Sequence, residues 1–175
     1  MQDKKELRNA VREKLKNLTD EEKAKKSSGI FSEILGLEQY KTARNVFCFL
    51  SDFNEPHTID FIKKAIKQGK TVFVPKLFGD EMKAIEIDVD TEFWYNGYGI
   101  LEPKDGNEGN KFDFTVVPML AFDEDLNRLG RGKGYYDKFL SKNKTFKCGV
   151  AFDCQKVEKI DAEETDVKLD VVIAK

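Results

Sequence analysis

A strand, a glycine bend and a helix are predicted by Phe114-Thr-Val-Val117 and, downstream of it, by Arg128-Leu-Gly-Arg-Gly-Lys-Gly-Tyr-Tyr-Asp137. The first run is apolar and β-branched, which is typical of a buried strand. The second alternates glycine with cations, and the residues from Tyr135 onwards indicate a helix. Glycine permits positive φ and leaves backbone N–H groups open to a ligand. A bend of this kind at the start of a helix favours anion binding, here of a polyphosphate.

Two common phosphate-binding motifs do not fit this bend. A Walker A loop requires Ser or Thr after the Gly132-Lys133 pair, where this chain has Gly134. The dinucleotide fingerprint does not fit either, because the third glycine comes one residue too early. The alternative is a flexible surface loop whose charges have no ligand.

Composition limits the class of protein. A chain of 175 residues predicts a single domain, here residues 1–175. The formal net charge is −2, so no global field attracts nucleic acid. No apolar run approaches membrane-spanning length, and the first residues lack a signal-like apolar segment. Cys48 and Cys148 lie in apolar runs and are expected to be buried and reduced. We therefore expect a cytoplasmic protein, a monomer or weak dimer, with neither nucleic acid nor membrane as a partner.

Periodicity predicts helices alternating with strands. Helices are expected at residues 3–17, from a Thr19 capping box to about Leu37, and from Thr58 as N-cap to Lys67. The expected strands are Arg44–Leu50, Thr71–Val74 ending at Pro75, Lys83–Ile87, Phe114–Val117, Phe146–Ala151 and Val171–Ile173. Residues Asp88–Asn110 are expected to form a long irregular loop. The pattern predicts an α/β fold, a three-layer α/β/α domain with a largely parallel, mixed central sheet.

The predicted topology also indicates where a ligand-binding crevice lies. Ligands of open α/β sheets bind beyond the carboxyl ends of the strands. The loops after Leu50, Val74 and Val117 all leave such ends. Glu55, Lys76 and the glycine bend are therefore expected to share one crevice.

Several segments carry a resemblance to a known family. Val116-Val-Pro-Met-Leu-Ala-Phe-Asp123, followed by Arg128 to Asp137, closely resembles the signature of the 5-formyltetrahydrofolate cyclo-ligases, also called 5,10-methenyltetrahydrofolate synthetases. Three further segments agree in order and spacing: Lys4-Lys-Glu-Leu-Arg8, Phe49-Leu-Ser51 followed by Glu55, and Asp166-Val-Lys-Leu-Asp170. The departures are Met119 and Leu126 in place of the usual glycine, Pro56-His57 after the glutamate, and Thr165 where many relatives carry histidine.

The resemblance implies an enzyme that uses ATP and Mg²⁺. The formyl oxygen of 5-formyltetrahydrofolate is phosphorylated, N10 attacks the activated carbon, and loss of phosphate gives 5,10-methenyltetrahydrofolate and ADP. Two alternatives stay open at this point. The chain could be another ATP-dependent ligase or kinase for a small acid, or a non-catalytic nucleotide-binding regulatory module.

The residues expected at ATP lie in the bend and in the first helix. Phosphoryl transfer needs positioning and charge stabilisation, which suits the glycine backbone with Arg128, Arg131 and Lys133. We expect Arg131 and Lys133 to be catalytic. With the resemblance, the expected ATP ligands are Lys4, Lys5, Arg8, Arg128, Leu129, Gly130, Arg131, Gly132, Lys133, Gly134, Tyr135 and Tyr136. Spacing alone favours a solvated basic face for Lys4 and Arg8, with Glu6 and Glu13 as partners.

The folate and metal residues complete the predicted site. Glu55 follows a strand and could accept hydrogen bonds from pterin N–H groups, and Trp94 belongs to an aromatic cluster that could form a wall. The expected substrate residues are Leu50, Glu55, Trp94, Arg131, Gly132, Lys133, Gly134 and Tyr135. Asp137, beside the phosphates, suits Mg²⁺, and Asp166 is the second ligand by resemblance alone. The alternatives are a wall or core role for the aromatics, solvated acids for Glu55 and Asp166, and helix N-terminal charge stabilisation for Asp137. His57 is expected to be a loop residue.

Overall fold

Residues 3–175 are described by a computed structural model. The helices are α1 (Lys4–Lys16), α2 (Asp20–Gly36), α3 (Glu38–Thr42), α4 (Ile59–Lys67) and α5 (Tyr135–Lys142), with a 3₁₀ turn at Asp153–Gln155. The strands are β1 (Asn45–Cys48), β2 (Thr71–Phe78), β3 (Glu81–Ile87), β4 (Phe93–Tyr95), β5 (Leu101–Pro103), β6 (Glu108–Gly109), β7 (Phe114–Pro118), β8 (Ala121–Phe122), β9 (Arg128–Leu129), β10 (Phe146–Ala151) and β11 (Val171–Ala174).

One seven-stranded sheet organises the chain, in the order β11-β10-β7-β1-β2-β3-β6. The pairs from β11 to β2 are parallel, whereas β3 and β6 add antiparallel pairs at one edge. The strands β4 and β5 form a separate hairpin, as do β8 and β9. The predicted α/β fold with a largely parallel, mixed sheet is confirmed.

Both faces of the sheet are covered. Alternate residues of a strand face opposite sides, and Val46 and Cys48 join a different apolar cluster from Phe47. Buried side chains of α1 to α4 belong to the first cluster, while Phe139 and Leu140 of α5 belong to the second. Burial on both faces explains why the central strands are continuous apolar runs, and it gives the three layers that the sequence predicts.

The local signals at helix ends have mixed outcomes. Thr19 forms the predicted capping box, since its hydroxyl accepts from the Glu22 N–H at 3.1 Å and Glu22 accepts from the Thr19 N–H at 2.8 Å. Thr58 is the N-cap residue of α4, as predicted, but its side chain makes no capping hydrogen bond. Its hydroxyl accepts from the Ser51 N–H at 3.0 Å instead, and its own N–H donates to the Ser51 hydroxyl at 3.0 Å. These bonds close the loop that carries Glu55.

Two predicted boundaries are wrong. The second strand does not end at Pro75 but continues to Phe78, with Pro75 opposite Ala84 of β3. The register of β2 with β1 ends at Phe73, so Pro75 lies where β2 has a neighbour on one side only, and a missing N–H is tolerated there. The stretch Asp88–Asn110 is not irregular either, because it contains the β4–β5 hairpin and β6.

Cys48 and Cys148 are buried free thiols, as predicted. Burial raises the pKa of Cys148 to about 12 and also raises that of Cys48 well above its usual value, because a thiolate would lose its hydration. Between residues 3 and 175, no helix has the length and apolar composition of a membrane span.

Candidate active site

The glycine bend lies between β9 and α5 and has a strained backbone that glycine accommodates. Gly132 has φ of +108° and Gly134 has φ of +69°, and Gly134 is the N-cap of α5. A side chain at Gly130 would place its Cβ 3.2 Å from the Arg128 guanidinium. The bend therefore presents backbone where larger residues would bring strain or crowding, as the sequence predicts.

Helix α1 reaches the bend through its basic face. The Arg8 guanidinium donates from Nε to the Gly130 carbonyl at 2.9 Å. The Lys4 ammonium donates to Glu163 at 2.8 Å and to Asp166 at 3.0 Å. The interpretation of Lys4 and Arg8 as a solvated face is thus wrong, since their partners come from the far end of the chain and from the bend. Spacing along a helix reveals which residues share a face but not what packs against it.

Arg128 lies beneath the bend rather than on it. Its side chain is only 4% exposed, and Nη2 is 3.2 Å from the Asp137 carboxylate. Nη1 donates to the Pro118 carbonyl at 3.3 Å, and the guanidinium carbon is 5.5 Å from the centre of the Tyr136 ring. Its Nε is buried and has no hydrogen-bond partner among the described residues. A buried cation of this kind fixes the first turn of α5 and adds positive charge below the bend.

A hydrogen bond from a backbone N–H links Asp137 to the segment that carries Asp166. Asp137 accepts from the Val167 N–H at 3.2 Å, which ties it to the segment of Asp166. Asp166 accepts from the Glu163 N–H at 2.9 Å. Burial acts to raise the pKa of Asp166, but this N–H and the Lys4 ammonium outweigh it and hold the pKa below its usual value. The lowered pKa keeps Asp166 anionic at neutral pH. We call Asp137 and Asp166 the acid pair.

Two carboxylates are a donor set that Mg²⁺ accepts when phosphate oxygens complete its coordination. Within residues 3–175, no group of three or more His, Cys, Asp or Glu side chains is arranged to hold a metal ion. Mg²⁺ commonly uses one or two carboxylates with phosphate oxygens and water, so Asp137 and Asp166 suffice as protein ligands. The residues therefore fit this ion only together with a nucleotide.

On the other side of the bend, Arg131 contacts two acids of the β1–α4 loop. Its Nη2 forms an ion pair with Asp52 and lies 3.0 Å from Glu55. Glu55 is 17% exposed, and burial raises its pKa to about 7, opposed by the positive charge of Arg131 and reinforced by Asp52. We call Asp52, Glu55 and Arg131 the ion triad. The predicted proximity of Glu55 to the bend is confirmed.

A pocket of about 280 Å³ opens beside the ion triad. It is lined by Arg12, Leu15, Lys16, Asp52, Asn54, Glu55, Met119, Leu120, Arg131 and Gln155. Leu15, Met119 and Leu120 are its apolar lining residues, and the other seven are charged or polar. Convergent polar groups in a concave site suit a small polar ligand. The amide of Gln155 donates to the carbonyls of Met119 at 2.8 Å and Leu120 at 3.0 Å, which fixes one wall.

The family then follows from comparison with known proteins. The sequence model of the 5-formyltetrahydrofolate cyclo-ligase family matches residues 1–175. The chain belongs to this family. It is 30% identical to the 5-formyltetrahydrofolate cyclo-ligase of Mus musculus, over 97% of this chain and 92% of that protein. It is 31% identical to the enzyme of that name from Haemophilus influenzae, over 96% and 95%.

A solved structure of a methenyltetrahydrofolate synthetase has the same fold as this chain. The chain resembles the NMR structure of Aquifex aeolicus 5,10-methenyltetrahydrofolate synthetase, with a TM-score of 0.88 and 32% identity over 98% of this chain and 89% of that one. The predicted resemblance is confirmed, and with it the prediction that the chain is an enzyme, a ligase.

The β4–β5 hairpin contacts the bend through Tyr98. The Lys133 ammonium is 5.3 Å from the centre of the Tyr98 ring. The Tyr135 hydroxyl donates to the Gly79 carbonyl at 3.4 Å. Trp94 is half exposed and donates to Glu102 at 3.3 Å. The hairpin thus brings Tyr98 to the bend, and the roles of Trp94 and Tyr135 toward a ligand stay predictions.

Lys76 does not take part in the predicted crevice. Its ammonium donates to the Pro103 carbonyl at 2.8 Å and lies 5.9 Å from the Trp94 ring. Within residues 3–175, no hydrogen bond or ion pair joins it to Glu55 or to the bend. Strand β2 continues past the end of β1, and this carries Lys76 to the hairpin, where it supports β5.

Residues that depart from the family pattern lie next to the site. Leu126 has φ of +63°, a conformation that glycine adopts without strain. The methyl of Met119 fills the space beside Gly149, where a Cβ would come within 2.2 Å of it. The His57 N–H donates to the Ser27 hydroxyl at 2.9 Å, which fits the prediction of a loop residue.

Sequence reasoning missed several residues of the pocket. Arg12 and Lys16 continue the i, i+4 row of Lys4 and Arg8, so that spacing could have identified them. Asp52 and Gln155 carry no such signal. Only the fold brings Asp52 to Arg131, a residue 79 positions away.

Proposed function

We propose that this ligase cyclises 5-formyltetrahydrofolate to 5,10-methenyltetrahydrofolate, using ATP and releasing ADP and phosphate. The observation that carries the proposal is the contact between Arg131 of the glycine bend and Glu55 of the β1–α4 loop. It makes the expected phosphate site and the expected pterin site neighbours. A reaction that transfers phosphate from one ligand to the other requires that arrangement.

The ATP phosphates bind at the bend in this proposal. The N–H groups at the start of α5 and the backbone of Gly130 to Gly134 face the anion, and the helix dipole favours negative charge there. Lys4, Lys5 and Arg8 extend the cationic surface from α1. The bond between Arg8 and the Gly130 carbonyl supports this assignment, because it holds α1 against the bend.

The pterin binds in the pocket beside the ion triad. An ionised Glu55 accepts hydrogen bonds from pterin N–H groups, and Leu50, two residues after β1, adds an apolar wall. Met119 and Leu120 provide further walls. In this proposal Trp94 and Tyr135 provide aromatic walls for the aminobenzoyl ring.

Asp137 and Asp166 would hold Mg²⁺, which would neutralise phosphate charge when bound. The proposed reaction has two steps, phosphate transfer and ring closure. The formyl oxygen attacks the γ-phosphorus while the bond to the ADP oxygen breaks, and Lys133 and Arg131 stabilise the charge on the transferred group. N10 attacks the activated formyl carbon and gives up its proton, and phosphate departs with the original formyl oxygen. The ring closes as the methenyl product.

We also propose that the protein is one domain, acts in the cytoplasm as a monomer or weak dimer, and binds neither nucleic acid nor membrane. The near balance of charge, a formal net of −2, supports the exclusion of nucleic acid. An enzyme of this family acts on small molecules, which agrees with a pocket of about 280 Å³.

One assay tests the function. Purified protein is mixed with ATP, Mg²⁺ and 5-formyltetrahydrofolate, and methenyl absorbance and ADP are followed together. We expect both to rise in equal amounts. No rise in either would refute the proposal, ADP release with other small acids but not with the folate would point to a different ligase or kinase, and ATP binding without turnover to a regulatory module. Omission of each component in turn is the control.

A further inference from the structure

The ion triad places one nitrogen of Arg131 between two acids. Nη2 contacts Asp52 and also Glu55, the latter at 3.0 Å. A guanidinium carries several N–H groups in a planar fork. Among the N–H groups of Arg131, only those of Nη2 donate hydrogen bonds to residues 3–175. The remaining N–H groups are available to a ligand, and the side chain is 59% exposed.

Both acids are fixed by the loop that carries them. One oxygen of Glu55 accepts from the Asp52 N–H at 2.9 Å, while the other faces Arg131. The second oxygen of Asp52 accepts from the Asn54 N–H at 2.9 Å. Lys23 supports the same loop from α2, donating to the Asn54 side chain at 3.3 Å. The loop therefore presents two carboxylate oxygens to Arg131 at defined positions.

A pterin and Arg131 can share one oxygen of Glu55. One Glu55 oxygen accepts from the Asp52 N–H, and the other, which accepts from Arg131, has a further lone pair for a ligand N–H. A pterin N–H bound there would draw on the same oxygen and weaken its bond to Arg131. Asp52 also bonds Arg131, and its second oxygen is fixed by the Asn54 N–H, so it can hold Arg131 beside the pocket when the Glu55 bond weakens.

We propose that Asp52 is a positioning residue that holds Arg131 at the boundary of the two substrate sites, so that folate binding at Glu55 turns the free N–H groups of Arg131 toward the phosphates of ATP. This inference rests on the proposed function. It predicts that each substrate strengthens the binding of the other, because thermodynamic coupling is reciprocal.

The test is the dissociation constant of a non-hydrolysable ATP analogue with Mg²⁺, measured by calorimetry with and without saturating 5-formyltetrahydrofolate. In the native protein we expect the folate to tighten binding by about tenfold. In Asp52→Asn the factor should fall below about threefold, because Arg131 is no longer retained beside the pocket. Asp52→Glu should restore most of it, since the carboxylate returns.

A matched control and a second variant keep the outcome decisive. Glu38→Gln removes an exposed acid paired with Lys41 on α3 and should leave the coupling unchanged. If Asp52→Asn has no cooperative melting transition, Arg131→Lys serves instead, since an ammonium lacks the planar fork and should also lose the coupling. Native coupling in either folded variant would overturn the inference. A native protein that binds both ligands without coupling would also overturn it and leave the proposed function standing, whereas failure to bind the folate would remove both.

Discussion

The two sides of the glycine bend use acidic side chains in opposite ways. On the side of α1, the carboxylate of Asp166 faces the Lys4 ammonium and a backbone N–H, and its pKa lies below the usual value. On the side of the β1–α4 loop, burial dominates at Glu55 and raises its pKa to about 7. Hydrogen bonds to the charged form therefore win on one side, and desolvation wins on the other.

The difference separates two tasks. An acid that stays charged suits a cation and its phosphates, which is the role proposed for Asp166 with Mg²⁺ and ATP. An acid that is ionised only partly at neutral pH can exchange its partner at small cost, which suits the recognition of pterin N–H groups. Paired carboxylates whose environments push their pKa values apart are a common way to divide roles within one site.

The largest expected effect concerns the bend itself. Lys133→Ala should lower kcat by about 10²- to 10³-fold, because the ammonium stabilises charge that develops during phosphate transfer. The melting temperature should hardly change, since Lys133 is exposed and its described contact is the Tyr98 ring at 5.3 Å. Steady-state kinetics and a thermal melt measure both, with Lys138→Ala on exposed α5 surface as the control. Native turnover in Lys133→Ala would contradict its assigned role.

The next prediction tests the raised pKa of Glu55 through the pH dependence of stability. The folded pKa of Glu55, about 7, lies above its ordinary value of 4.5, so between these values the folded protein keeps a proton that the unfolded chain loses. Stability therefore falls as pH rises from about 4.5 to 7, by up to about 3 kcal/mol. Glu55→Gln should remove this loss and be more stable than the native protein at pH 8 but not at pH 4.5.

Urea unfolding at both pH values measures the difference, with Glu38→Gln as a control for an exposed acid. Tyr136 of α5 also faces this region, and burial raises its pKa well above its usual value, so it is neutral at both pH values. An equal gain at pH 4.5 and pH 8 would show that Glu55 is not the titrating group.

A smaller effect belongs to the acid pair. Asp166→Asn should raise the Mg²⁺ concentration for half-maximal activity about tenfold, because one ligand oxygen loses its charge. Glu163→Gln provides a matched control, since Glu163 also bonds Lys4 but is 68% exposed and has no assigned metal role. Activity measured over a range of Mg²⁺ concentrations distinguishes them, and equal curves for the two variants would argue against Asp166 as a ligand.

The sequence predicts what neighbouring residues determine among themselves. The Thr19 capping box, the apolar runs of β1 and β7, and the positive φ of Gly132 and Gly134 follow from local preferences, and all are present. The outcome differs where sheet order decides. Pro75 looks like the end of a strand until β1 is known to stop short of it, because a missing N–H matters only where a neighbour would accept it.

The electrostatics of the site are the least accessible from sequence. Lys4 and Asp166 are 162 positions apart, and Asp52 and Arg131 are 79 apart. The contacts within these pairs depend on how α1 and the β1–α4 loop pack against the bend. The resemblance to the cyclo-ligases supplied Asp166 and Glu55 as site residues, yet nothing in it indicated that Asp52 would share Arg131 with Glu55.

The smallest expected effect concerns the backbone that joins the hairpin β8–β9 to the acid pair. Leu126 has φ of +63°, and its carbonyl accepts from the Leu169 N–H at 3.1 Å, near Asp166. Leu126→Gly relieves strain of about 1–2 kcal/mol, which offsets the lost side-chain packing and the added freedom of the unfolded chain. The net change in unfolding free energy should therefore stay within about 1 kcal/mol.

Leu129→Ala in the same hairpin provides the comparison. Leu129 is buried in an ordinary strand, so truncation there should cost about 2–5 kcal/mol. Urea unfolding of both variants at one pH measures the contrast. A loss in Leu126→Gly as large as that in Leu129→Ala would mean that packing, and not backbone strain, governs position 126, and the departure from the family's glycine would then contribute to the stability of this chain.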